Sequence, residues 1–109
     1  MSEDRLQQDI VIWFKNNYQM QGKGLIFSVP NGGSRNILEA KKLKQTGATA
    51  GVSDLIVLLN EKCLFIELKI EKGIQSEVQK EFELKVMFLG FEYKIIRSLE
   101  QFKKYIDEI

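Results

Sequence analysis

The chain has 109 residues, 44% of them hydrophobic, enough for one compact domain over 1–109 and too little for two. Its 16 basic and 15 acidic side chains leave a net charge of +1, so bulk electrostatics announce no nucleic-acid partner. The absence of histidine excludes a histidine general base, serine–histidine and cysteine–histidine nucleophiles, and histidine-containing zinc sites, which leaves hydrolytic chemistry to carboxylates, lysine and a hard metal ion. In chain order, Leu6, Ile10, Trp13 and Phe14 recur at helical spacing, with Ser2 placed to cap, and predict an amphipathic helix from Glu3 to Asn17. Leu25 to Val29 is a short β-type run stopped by Pro30 and followed by the turn signal Asn31-Gly32-Gly33. Residues 36–45, with Ile37, Ala40 and Leu43 apolar and Gly47 as a stop, read as a second helix. Two apolar runs, Leu55–Leu59 and Cys63–Leu68, flank Asn60-Glu61-Lys62, a connection so short that they form an antiparallel hairpin. Ser76-Glu77-Val78-Gln79 is a capping box opening a third helix, with Val78, Phe82, Val86 and Leu89 as its expected buried face and Gly90 beyond its end. Glu92–Ile96 is a strand, and Ser98 caps a last helix whose apolar side is Leu99, Phe102, Ile106 and Ile109. The order is α-β-α-β-β-α-β-α, an α/β domain.

No apolar run is long enough to cross a bilayer, and Met1-Ser2-Glu3-Asp4 does not read as a secretory signal, so a soluble, intracellular, cytoplasmic protein without membrane contact is expected. The single cysteine, Cys63, lies in an apolar run and reads as a small hydrophobe. A domain this small buries a limited fraction of its surface, which makes self-association plausible.

Both alternating residue sets of the hairpin are apolar, so helices are expected on both faces of the sheet. Three charged residues nevertheless sit at its open end: Asp54 where the first strand enters, and Glu67 and Lys69 where the second leaves. With Glu61-Lys62 as a two-residue turn, Asp54 stands opposite Lys69 and Ile56 opposite Glu67, and all three charged side chains share one face. Two carboxylates at that spacing suit Mg²⁺ or Mn²⁺, and a neighbouring lysine can hold or deprotonate an attacking water. Without further residues the bland reading, polar strand ends, has an equal claim.

Three stretches weigh against the bland reading: Gly51-Val52-Ser53-Asp54-Leu55-Ile56-Val57-Leu58, Phe65-Ile66-Glu67-Leu68-Lys69, and Gln75-Ser76-Glu77-Val78-Gln79-Lys80-Glu81-Phe82. They closely resemble the virus-type replication-repair nuclease (VRR-NUC) family of PD-(D/E)XK enzymes, and Val29-Pro30-Asn31-Gly32-Gly33-Ser34-Arg35 and the first helix look like its phage members. The resemblance implies a restriction-endonuclease-like core, with a mixed central sheet flanked by helices, in a phage or bacterial host cell. It implies a metal-dependent DNA endonuclease, a homodimer acting on branched DNA such as four-way junctions. Asp54, Glu67 and the Leu68 backbone carbonyl would hold the metal, with Lys69 as the catalytic lysine. Gln79 matches the family's added glutamine, although its place in the capping box already explains it. Glu3 matches an acid on the first helix, although an acid there also favours the helix dipole. The family's usual proline before the aspartate is Ser53 here.

Asn31, Gly32, Gly33 and Ser34 read either as a plain turn or as a backbone that approaches a DNA strand closely, with Arg35, Lys41, Lys42 and Lys44 meeting phosphates. Trp13, Phe27, Phe65 and Phe82 fall on apolar faces, where core packing is expected. Competing readings are a sequence- or partner-directed restriction-like nuclease and a non-cutting DNA-binding module of the same fold. A phospho-acceptor domain is excluded, because it needs a parallel sheet that the hairpin forbids.

Overall fold

In a computed structural model, which describes residues 1–30 and 37–109, Ser2 opens helix α1 (Glu3–Asn17) by accepting a hydrogen bond from Arg5 N–H. Leu6, Ile10 and Phe14 form the buried stripe of α1, at the spacing that aligns side chains on one helix face. A 3-10 turn at Gln19–Gln21, unforeseen in the sequence, leads into β1 (Leu25–Ser28). Then follow α2 (Ile37–Gln45), β2 (Leu55–Leu59), β3 (Lys62–Leu68), α3 (Glu77–Phe88), β4 (Glu92–Ile96) and α4 (Leu99–Glu108). The turn expected at Asn31-Gly32-Gly33 and the first residue of the expected second helix lie outside the described residues.

The sheet runs β1-β2-β3-β4, antiparallel at its first two pairings and parallel at β3–β4. The hairpin turn is Asn60-Glu61, with Glu61 in the left-handed region at φ 60°, and not Glu61-Lys62. Asparagine is favoured in turns, and moving the turn back by one residue brings Lys62 into β3 opposite Leu59. Every cross-strand partner shifts by two, so Leu55 faces Ile66 and the next position sets Asp54 against Glu67. Because side chains alternate with period two, a shift of two leaves each on its original face.

One face of the sheet is the core. Leu55, Val57, Leu64, Ile66, Leu68 and Ile96 pack there against Leu6, Ile10 and Phe14 of α1 and Phe102 and Ile106 of α4. Trp13 closes this layer from the side, edge-on to Phe102. The other face carries Phe65 and Tyr93, against which Phe82 of α3 packs edge-on. This second cover is partial, since Leu25 and Phe27 on β1 remain more than 40% exposed, contrary to the expected core role of Phe27. Helix α2 buries none of its residues. On α3 only Val86 is fully buried and Phe82 is half-buried, whereas Val78 and Leu89 are exposed. The inward stripe is instead Gln79, Phe82, Glu83 and Val86, so the helix is rotated from the expected face to bring two polar side chains over the sheet. Among the described residues, no helix is long and apolar enough to cross a membrane.

Candidate active site

The partly covered face holds the charged residues. Asp54 ends the loop into β2, and its main-chain carbonyl accepts from Val29 N–H, which continues the β1–β2 pairing by one step. Its Oδ2 accepts a hydrogen bond of 2.8 Å from Leu68 N–H on the neighbouring strand. The N–H and C=O of an extended residue project to the same strand edge, so the Leu68 carbonyl also faces the Asp54 side. Glu67 stands opposite Asp54 and is only 1% exposed. Its Oε2 accepts from Gln79 Nε2 at 2.9 Å and lies 3.5 Å from Lys69 Nζ. Its Oε1 is buried without a hydrogen-bond partner.

Burial, and then the adjacent Asp54 charge, push the Glu67 carboxyl up from 4.5 to about 7, against the pull of Lys69. A buried carboxylate with one oxygen unsatisfied and a like charge beside it is held at a cost, and such arrangements concentrate at functional sites. A cation between the two carboxylates would remove that cost. Among the described residues no three acidic, histidine or cysteine side chains cluster where they could hold a metal ion, so the oxygens this site could offer one are the two carboxylates and the Leu68 main-chain carbonyl. This set fits Mg²⁺ or Mn²⁺, hard ions that take oxygen ligands and, for Mg²⁺, keep several waters.

Gln79 takes part in both arrangements between which the sequence leaves a choice. Its Oε1 accepts from Ser76 N–H at 2.8 Å while its backbone N–H donates to Ser76 Oγ, which completes the capping box. Its Nε2 is thereby turned toward Glu67. The cap fixes the amide, and the amide fixes the carboxylate. Gly51, at φ +79°, lies directly under the first turn of α3, where a Cβ would collide with the Val78 main-chain carbonyl. The loop that delivers Asp54 and the helix that delivers Gln79 therefore touch at a point only glycine fits. Ser53 is fully buried in that loop, and its Oγ donates to the Leu55 carbonyl, which ties the loop without a proline.

These features define a chain similar to two solved structures. One, described as a VRR_NUC domain protein, superposes with a TM-score of 0.78 over 99% of this chain and 87% of that chain at 22% identity. The other, described as a VRR_NUC domain, gives 0.64 over 96% and 94% at 21% identity. The chain has the VRR_NUC fold. No family model and no curated protein matches its sequence. The VRR_NUC fold is a form of the PD-(D/E)XK architecture, which agrees with the mixed sheet and flanking helices seen here.

On this VRR_NUC frame Asp54, Glu67, Lys69 and Gln79 converge. Glu3 is exposed in the first turn of α1 and shares no hydrogen bond or ion pair with them among the described residues. Lys41, Lys42 and Lys44 are exposed on α2. Asn31, Gly32, Gly33, Ser34 and Arg35 lie outside the described residues. Sequence reasoning passes over Gln75, whose Nε2 donates to Glu83 Oε1 and to the Tyr93 hydroxyl, and Arg97, which binds the loop after Lys69. Gln75 stands beside a cap residue and could have been suspected, but nothing in the pattern marks Arg97.

Proposed function

We propose that this chain is a metal-dependent DNA endonuclease that hydrolyses phosphodiester bonds, acting as a homodimer on branched DNA such as four-way junctions. The observation that carries the reading is the buried Glu67, set between a second carboxylate and a lysine, with its Oε1 left unsatisfied. A structural strand end would not hide an acid there. Two neighbours with the same fold bear the nuclease domain's name.

Asp54, Glu67 and the Leu68 carbonyl would hold Mg²⁺ or Mn²⁺. When bound, the ion supplies a positive charge that polarises the phosphodiester and offsets the negative charge that develops as it is cleaved. Gln79 keeps Oε2 of Glu67 fixed, so Oε1 alone remains to face a ligand. Lys69 Nζ, on the same strand face, orients the attacking water and stabilises charge on the phosphate. The lysines of α2 and Arg35 contact DNA phosphates. The dimer reading draws on α3, whose outer side exposes Leu84, Met87, Phe88 and Leu89 together, with Phe88 at 90%. Exposed apolar side chains gathered on one helix face in this way favour a protein contact there over open solvent.

The test is incubation with Mg²⁺ or Mn²⁺ and a panel of duplex, flap, single-strand and four-way-junction DNA. Junction cleavage that needs the cation and disappears in Asp54→Asn and Lys69→Ala is expected. Full activity in chelator, or from either variant, overturns the assignment, and cleavage of linear duplex alone overturns the junction preference.

A further inference from the structure

Arg97 follows β4 on the parallel neighbour of the site strand. Glu67 pairs with Ile95 and Leu68 with Ile96, and Lys69 N–H donates to the Ile96 carbonyl at 3.1 Å, so the register sets Arg97 beside Lys69. Its side chain is exposed, yet its Nη1 donates to two main-chain carbonyls, Glu71 at 3.1 Å and Gly73 at 2.8 Å. Its own N–H donates to Gln101 Oε1 at 2.7 Å, which anchors it to α4.

The two carbonyls belong to a tight turn closed by Gly73 N–H to the Ile70 carbonyl, 2.9 Å. Glu71 within it has φ 48°, a left-handed conformation that is unfavourable for a non-glycine residue and persists only where its surroundings impose it. The turn folds back on the lysine: a Cβ on Gly73 would stand 3.5 Å from Lys69 Cδ and 3.7 Å from its Cβ. With that wall on one side, the Lys69 side chain is only 12% exposed and its Nζ is directed to Glu67.

We infer that Arg97 is a positioning residue: it holds the Ile70–Gly73 turn in its strained shape, and the turn confines Lys69 to the carboxylate side of the site. The inference rests on the nuclease reading for its kinetic consequence alone. The contacts themselves involve neither DNA nor metal. Its chemical logic is that a small displacement of a reacting group lowers the rate of the chemical step without weakening substrate binding.

The experiment compares Arg97→Ala, Arg97→Lys and Gly73→Ala with the unaltered protein. In the kinetic arm, Arg97→Ala lowers kcat about ten- to hundredfold while KM for DNA stays within about twofold. Arg97→Lys, which keeps a donor for the carbonyls, restores most of it. Gly73→Ala reproduces the loss from the other side, because its Cβ presses on the Ile70 carbonyl at 3.1 Å. In the spectroscopic arm, done without metal or DNA, Arg97→Ala removes hydrogen-exchange protection at Gly73 N–H. The two Lys69 Hε resonances merge toward free-lysine values while amides of α1 and β3 stay protected. Unchanged Lys69 resonances in Arg97→Ala overturn the inference, and so does a loss confined to KM, which would make Arg97 a phosphate contact. If the unaltered protein cleaves no DNA, the nuclease reading falls and the spectroscopic arm still decides the role of Arg97.

Discussion

Replacing Glu67 with glutamine should stabilise the metal-free protein at alkaline pH. The Glu67 carboxyl is raised from 4.5 to about 7 by burial and by Asp54, so the folded chain holds its proton where the unfolded chain has released it. The group's contribution to stability is complete below about pH 4.5, declines as pH rises, and is lost above about 7. At 1.36 kcal/mol per pH unit, ionisation of Glu67 costs the fold about 3 kcal/mol at pH 8 relative to pH 4. For a domain of this size that is roughly 10 °C in melting temperature. Glutamine keeps an oxygen for Gln79 Nε2 and Lys69 Nζ and carries no charge to desolvate, so part of the cost is recovered and part is given back with the lost ion pair. Thermal unfolding in chelator from pH 4.5 to 8.5 is the assay. The unaltered protein should lose stability across pH 5 to 7 more steeply than the variant, and the variant should melt at or above it at pH 8. A variant that melts several degrees lower at pH 8, with an unchanged pH slope, would refute the reasoning and make Glu67 a structural acid.

Gly51→Ala should cost more than about 2 kcal/mol, since left-handed strain is added to a collision with the Val78 carbonyl, and a melting temperature within 2 °C of the unaltered protein would contradict that close approach. Neutralising Arg35, Lys41, Lys42 and Lys44 together should weaken binding to every DNA sequence and flatten its logarithmic salt dependence by about 0.9 for each phosphate no longer neutralised, as measured by titration at several salt concentrations. Unchanged affinity and slope would remove α2 from the DNA surface. Phe88→Glu should convert a dimer to monomer in sedimentation without lowering the melting temperature of the monomer, because Phe88 contributes nothing to the core. A dimer that survives the change rules out the α3 face.

The elements are legible because local signals govern them: Ser2, Ser76 and Ser98 each cap where a capping residue precedes an apolar stripe, and all three accept the expected hydrogen bond. The hairpin follows from its short connection. Its register does not, because placing a two-residue turn among Asn60, Glu61 and Lys62 depends on local turn preference alone, whereas side-chain faces survive any even shift. The rotation of helix α3 escapes the sequence for a different reason. Hydrophobic periodicity finds the face that seeks burial, but here Gln79 and Glu83 turn inward to serve polar partners while Leu84 and Leu89 are left outside. Apolar patterning is blind to a site that is buried and polar. Arg97 is illegible because its partners are main-chain carbonyls, which carry no side-chain signature.

The strand order also dictates when the pieces come together. β2 and β3 close over a two-residue turn, so their pairing is the cheapest in loop entropy and should form early, bringing Asp54 and Glu67 face to face. β4 pairs in parallel with β3 and has to wait until α3 has crossed between them. Gln79 lies on that crossover and Arg97 follows the strand it delivers, so on this order the like charges would meet before the groups that restrain them arrive. Truncating Gln79 should therefore quicken unfolding while refolding keeps its pace, a kinetic asymmetry written into the order β1-β2-β3-β4.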